Sequence, residues 1–149
     1  MPPSPLRLFG GYMRVVALDI GEARIGIAAS DASGSLASPV CVLPAHEVVS
    51  NARTWRRVLE DYEPELLVCG LPKTMAGEVG PQAQRVIKVA EKISGSCGIP
   101  LEFVDERLSS AEAKRILRAQ GLNEKRMRGK VDMVAASLFL QTWLDNHTN

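Results

Sequence analysis

A mixed α/β sheet with helices on its faces is the fold class this sequence predicts, and three observations predict it. Residues 14–20 are nearly all apolar and alternate poorly, as in a central strand covered on both sides. A turn-like Gly21-Glu22-Ala23 then leads into a second apolar run, Arg24 to Ser30, which makes the pair an antiparallel hairpin. Beyond them, segments of helical period alternate with short apolar runs, the pattern of strands joined by crossover helices.

Taken in order, Gly34 to Leu43 continues the meander as a third strand, weakened by Pro39. Val48, Ala52, Trp55, Leu59 and Tyr62 recur at helical spacing, and Pro64 ends that helix. Leu66 to Cys69 is a short buried strand, followed by a Gly- and Pro-containing loop from Gly70 to Pro81. Ala83, Val86, Ile87, Ala90 and Ile93 mark the next helix, closed by Gly95 and Gly98. Leu101 to Val104 is the fifth strand. Ser109-Ser110-Ala111-Glu112 matches a capping box that starts a helix ending at Gly121. Val131 to Leu144 is the last helix. Right-handed crossovers set the fourth and fifth strands parallel to the first.

With 149 residues, 46% hydrophobic and 23% charged, the chain suits one globular domain, residues 13–146. The first twelve residues are Pro-rich, lack the apolar core of a signal peptide, and are expected to form a disordered extension. No apolar run nears the ~20 residues a membrane helix needs, so no membrane partner is expected. Three cysteines without a C-x-x-C pair read as reduced, buried thiols, which points to the cytoplasm. Of two histidines, His147 falls in a tail expected to fray, so a histidine relay or zinc cluster has little material.

A net charge of +1 does not itself indicate nucleic acid, but its distribution is uneven. Lys125, Arg126, Arg128 and Lys130 fall within six positions just before Asp132. Lys114, Arg115 and Arg118 form a second group on a helix, with a solvated charged face as its plain reading. Two tyrosines and two tryptophans are too few for a platform stacking several bases, so nucleic-acid contact would rest on backbone charge and shape.

Three carboxylates stand out. Asp19 interrupts an apolar strand near its carboxyl end, Glu106 follows the end of the fifth strand, and Asp132 lies in the first turn of the last helix. Carboxyl ends of strands are where open α/β sheets collect their sites. Three clustered carboxylates repel one another, and one or two Mg²⁺ ions with oxygen ligands would offset that. Such a site hydrolyses phosphodiesters without a histidine. Each acid also has a plainer reading: Asp132 as a helix-dipole partner, Glu106 as one of a surface ion-pair cluster. Asp31 reads as a turn residue. Arg24 is available to a phosphate or to an acid such as Glu22. The loop carrying Lys73 joins a strand end to a helix start, a position that favours anions, although it is not a P-loop.

With these residues placed, the chain resembles the YqgF-type family of pre-16S ribosomal RNA nucleases, also described as Holliday-junction-resolvase-like. The resemblance rests on Leu18 to Ala28, on Gly70-Leu71-Pro72 with Gly77, on Asp105 to Ala111, and on Val131 to Ala136. It implies a ribonuclease-H-like fold and catalytic, metal-holding roles for Asp19, Glu106 and Asp132 with Mg²⁺ or Mn²⁺. It also implies trimming of the 5′ end of the small-subunit ribosomal RNA precursor in the bacterial cytoplasm, with nucleic acid and ribosomal particles as partners. Arg24, Lys73, Arg107, Lys125, Arg126, Arg128 and Lys130 are the expected substrate contacts. Thr74-Met75-Ala76-Gly77 stands where the family usually has Asn-Met-Asp-Gly, and Ser109-Ser110 replaces Thr-Thr. Whether Asp105 joins the metal site, and whether the protein is a monomer or a homodimer, stay open. The alternatives are a resolvase of four-way DNA junctions, a phosphotransferase of the actin and sugar-kinase kind, and a non-catalytic RNA- or protein-binding module.

Overall fold

The computed structural model describes residues 13–106 and 109–147, apart from the Ser110 side chain. The expected extension, residues 1–12, and Arg107 lie outside the described residues. In chain order the elements are β1 (Val15–Ile20), β2 (Arg24–Ser30), β3 (Ala37–Pro44), α1 (Ala45–Val49), α2 (Arg53–Tyr62), β4 (Leu66–Leu71), α3 (Pro81–Cys97), β5 (Leu101–Asp105), α4 (Ser109–Ala119), α5 (Glu124–Arg128) and α6 (Val131–His147). They build one five-stranded sheet of order β3-β2-β1-β4-β5. β1 and β3 run antiparallel to β2, while β4 is parallel to β1 and β5 to β4.

The two-residue period of a strand divides β1 between two cores. Val16, Leu18 and Ile20 join Ile25, Ile27, Leu67 and Cys69 on one face, under Val48, Trp55, Val86, Ala90 and Ile93 of the first three helices. Val15 and Ala17 join Ala28, Leu66 and Val68 on the other face, under Ala136, Phe139, Leu140, Trp143 and Leu144 of α6. Asp19 follows the odd-numbered set, so its side chain belongs to the α6 face. α6 packs across β1, β2 and β3 and against α4. Both its faces are covered, which explains its near-uniform apolarity. Among the described residues no helix is long and apolar enough to cross a membrane.

The structure departs from the sequence reading at several places. The third strand begins at Ala37 because Asp31 draws the preceding residues into a turn, accepting the amides of Ser35 and Leu36 and the Ser33 hydroxyl. Those bonds hold its carboxyl below the usual range. Pro39 is tolerated because β3 is an edge strand with a register shift opposite Ile27 and Ala28. The single helix expected over Val48 to Tyr62 is two, broken where Asn51 turns left-handed at φ 57°. Gly95 lies inside α3, which ends at the left-handed Gly98. Glu112 pairs with Arg115, and the start of the expected capping box adjoins Leu108, outside the described residues. The basic segment forms a helix of its own, α5. His147 belongs to the last turn of α6, its ring stacked on Trp143 with centroids 4.0 Å apart. All three cysteines are free, but only Cys69 is buried; Cys41 and Cys97 sit half-buried at an edge strand and a helix end.

Candidate active site

Asp19 stands between two glycines. Gly26 is its antiparallel partner on β2. On the other side Leu18 pairs with Cys69, so the next step of the parallel register brings Asp19 beside Gly70 of β4. Each glycine leaves a space that another acid's segment fills. A Cβ on Gly26 would lie 2.2 Å from the Asp132 carbonyl carbon and 2.6 Å from the Met133 nitrogen. A Cβ on Gly70 would lie 2.6 Å from Glu106 Oε2 and 2.7 Å from Phe139 Cε2. The first glycine thus seats the amino end of α6, and the second seats the Glu106 side chain.

Glu106 follows β5 directly. Its amide meets the Leu71 carbonyl at 3.4 Å, and its carbonyl accepts the Ser109 amide at 3.0 Å, which ties it to the start of α4. Asp132 opens α6, where the helix dipole favours a negative charge. Arg24, at the start of β2, reaches it with Nε 3.7 Å from Oδ2. This answers the question of Arg24's partner: it is Asp132, not Glu22.

The electrostatics record the crowding. Asp19 is only 8% exposed. Burial, then the Glu106 charge and hydrogen bond, then the Asp132 charge push its carboxyl up to about 9. The proton it keeps is donated to Glu106. Burial also raises Glu106, against the hydrogen bond from Asp19 and with the charges of Asp132 and Asp105. Burial raises Asp132, while Arg24 opposes the rise. Burying this carboxyl in its ionised form would cost several kcal/mol, about what two or three buried aliphatic side chains contribute, and keeping the proton lessens that cost. The apolar neighbours of Asp19 hold it in place against that cost.

Asp19 and Glu106 are turned toward each other, and Asp132 toward Arg24. Among the described residues, no three His, Cys, Asp or Glu side chains stand at the spacing of a closed metal-ligand set. The donor chemistry nevertheless fits a hard divalent ion, because all three side chains offer carboxylate oxygens and two positive charges would offset both the burial of their charges and the repulsion between Asp19, Glu106 and Asp132. Asp105 is exposed and points its charge at this group from the end of β5.

The expected substrate contacts fall into two kinds. Lys125, Arg126, Arg128 and Lys130 are exposed on and just after α5, without an ion pair among the described residues. Asn123 caps this short helix, accepting from the Arg126 amide at 2.9 Å, and Met127 anchors it in the interior. The cluster therefore sits on a fixed platform beside Asp132. In the second group Arg115 pairs with Glu112, and Arg118 with Glu124 at 3.2 Å, while Lys114 has no ion pair among the described residues. Lys73 is half-buried beyond β4, before a tight turn in which the Glu78 amide bonds Thr74 Oγ1. Sequence reasoning missed the seat under Glu106 and the pairing of Arg24 with Asp132. Gly70 was the available signal for the first.

A sheet of this order, with helices on both faces and acids gathered at the carboxyl ends of its parallel strands, defines a ribonuclease-H-like nuclease fold. Thermus thermophilus RuvC shares it: the form in complex with a Holliday junction substrate superposes with a TM-score of 0.56 at 12% identity, covering 92% of this chain and 98% of that one. A second Thermus thermophilus RuvC structure gives 0.52 at 15% identity, over 90% and 95% of the two chains. The chain itself belongs to the RuvX family, described as Holliday junction resolvase, whose model matches residues 13–146. Its relatives include proteins named "Putative pre-16S rRNA nuclease". That of Acaryochloris marina is 41% identical over 128 residues, 86% of this chain and 89% of the relative. That of Caldanaerobacter subterraneus is 37% identical over 139 residues, 92% and 99% of the two chains.

Proposed function

We propose that the protein is a divalent-metal-dependent nuclease that hydrolyses phosphodiester bonds at the 5′ end of precursor 16S ribosomal RNA. The observation that carries this reading is Asp19, an almost fully buried carboxyl flanked by two glycines that seat two further acids. Nothing in core packing calls for a carboxyl there. Asp19, Glu106 and Asp132 would hold Mg²⁺ or Mn²⁺, which when bound supplies an activated water and stabilises the leaving oxygen.

The chain's own residues prepare that chemistry. Asp19 releases the proton it shares with Glu106, and both carboxylates become available as ligands. Arg24, half exposed, gives up Asp132 and turns to a substrate phosphate. Lys73, Arg107 and the cations of α5 grip the nucleic-acid backbone. The name carried by the relatives supports ribosomal RNA precursor as the substrate. The three free thiols support action in a reducing cytoplasm, and a ribosomal RNA precursor as substrate implies ribosomal particles as partners. A single chain holds all three acids, so a monomer suffices for one cut, whereas paired cuts in a four-way junction need a homodimer.

The test compares a precursor RNA carrying the 5′ leader with a four-way DNA junction, each with Mg²⁺, with Mn²⁺ and with a chelator. Metal-dependent cutting of the RNA is expected. Preference for the junction would replace ribosomal RNA processing with resolution, and metal-independent cutting would remove the metal. Changing Arg126 and Arg128 together to Ala is expected to weaken RNA binding and to lower the slope of log K against log salt by about 1.5, roughly 0.7 per lost phosphate contact. An unchanged slope would return α5 to an ordinary solvated surface.

A further inference from the structure

We propose that the cavity between β5 and the carboxyl-terminal half of α6 binds one unpaired, amino-bearing nucleobase of the substrate; this rests on the nuclease reading of the neighbouring acids. The cavity holds about 410 Å³, within the range of sites for small organic ligands. It opens next to the acids: Asp105, on its rim, precedes Glu106 in the chain, and Phe139, on its floor, touches the same Gly70 position that seats Glu106. At 1.5 Å per helical residue, its α6 wall lies between about 10 and 22 Å from Asp132, within reach of a nucleotide a few steps from the cut.

Its lining suits a base and not a phosphate. Phe139 and Trp143 are almost fully buried and form a fixed apolar floor. The His147 ring lies flat on Trp143 at an interplanar angle of 11°, held by its Nδ1 at 2.7 Å from the Trp143 carbonyl oxygen. It thus presents an exposed planar face on which a base can stack. The polar rim carries two carboxylates, Glu102 and Asp105, and among the described residues the lining includes no lysine or arginine. Phosphate is repelled there, while N–H donors are attracted. Guanine offers N1–H and its exocyclic amine on one edge, and cytosine and adenine each offer an amine. Uracil offers one N–H between two carbonyls, which the carboxylates disfavour. The edges concerned are those used in base pairing, so the base must be unpaired. Stacking several bases remains beyond the aromatic content of this chain, but one base needs only this pocket.

The test follows side-chain proton resonances of the full chain during titration with guanosine, cytidine and uridine, alongside RNA substrates varied in each base near the cut. His147 and Trp143 are expected to shift with guanosine and cytidine at concentrations at least tenfold below those needed for uridine, while His46 and Trp55 stay still. Thr142→Phe fills the cavity from an exposed helix position and is expected to abolish the shifts; Glu102→Gln is expected to weaken guanosine at least fivefold. No shift, equal response to uridine, or shifts that survive Thr142→Phe would overturn the pocket. RNA cut without base preference, together with silent nucleosides, would sink the pocket while leaving the nuclease intact. Nucleosides that bind to a chain unable to cut RNA would sustain the pocket as a base site and sink the nuclease.

Discussion

Asp19→Asn is expected to abolish cleavage and, in the same protein, to raise the stability of the metal-free fold. Asn keeps the shape of the side chain but removes the charge that a cation needs, so a loss of at least a thousandfold in rate is expected. The stability gain follows from proton linkage. In the fold Asp19 is pushed up to about 9, whereas in the unfolded chain it titrates near the ordinary aspartate value of about 3.9. Between these limits the folded state keeps a proton that the unfolded state has released. Stability is therefore fully present below about pH 4, falls as pH rises, and is lost once pH passes about 9. Glu106 and Asp132 are raised as well and act in the same direction. The slope is up to about 1.4 kcal/mol per pH unit for one proton. Over the three units from pH 5 to pH 8 this amounts to about 4 kcal/mol at most, and at 2–4 °C per kcal/mol the melting temperature of the chelated wild type should drop by up to about 8–16 °C. The Asn variant should show a flatter profile and melt higher at pH 8, and Mg²⁺ should stabilise the wild type more than the variant. Parallel profiles for the two proteins would mean that Asp19 is not the group that keeps the proton.

Gly26→Ala should be the most destabilising single methyl that can be added to this sheet. The new carbon would meet backbone atoms of Asp132 and Met133 at 2.2–2.6 Å. Neither β2, paired on both sides, nor α6, packed over three strands, can yield locally. Overpacking usually costs 1–3 kcal/mol, and a clash between two rigid backbones belongs at or above the top of that range. A loss of about 3 kcal/mol or more is expected, roughly 6–12 °C in melting temperature. Activity should fall further than stability does, because the only relief is for α6 to lift and carry Asp132 away from Asp19. Gly70→Ala is the natural control: its new carbon meets side-chain atoms of Glu106 and Phe139 rather than backbone, so stability should suffer less while activity still falls. A Gly26→Ala protein that melts like wild type would show that α6 does not sit as closely on β2 as described.

Much of this arrangement could be read from residue order. Asp19 within Val-Val-Ala-Leu-Asp-Ile was conspicuous because strands covered on both faces rarely hold a carboxylate. The hairpin, the third strand of the meander and the crossovers followed from turn residues and handedness. What escaped the reading depended on local geometry that a spacing rule cannot see. Val48, Ala52, Trp55 and Leu59 keep helical spacing across the break at Asn51, since both short helices turn their apolar sides to the same core. The four-cation segment looked like a bare charged run because one buried Met127 and one capping Asn123 suffice to make it a helix. Gly70 read as a loop residue, and only the register showed it lying beside Asp19. The cavity under His147 combines residues from β5 and α6 that no sequence interval links.

The acids come from the opening strand, the strand laid down last, and the closing helix. Everything between them must be synthesised and folded before they can meet, and pairing β1 with β4 already requires a long chain closure. During translation the early hairpin can form on its own, yet it carries a solitary aspartate with no companions. Growing chains thereby lack the assembled group of acids, which forms only when α6 docks. A lesion that loosens this final docking would silence the protein long before it unfolded it.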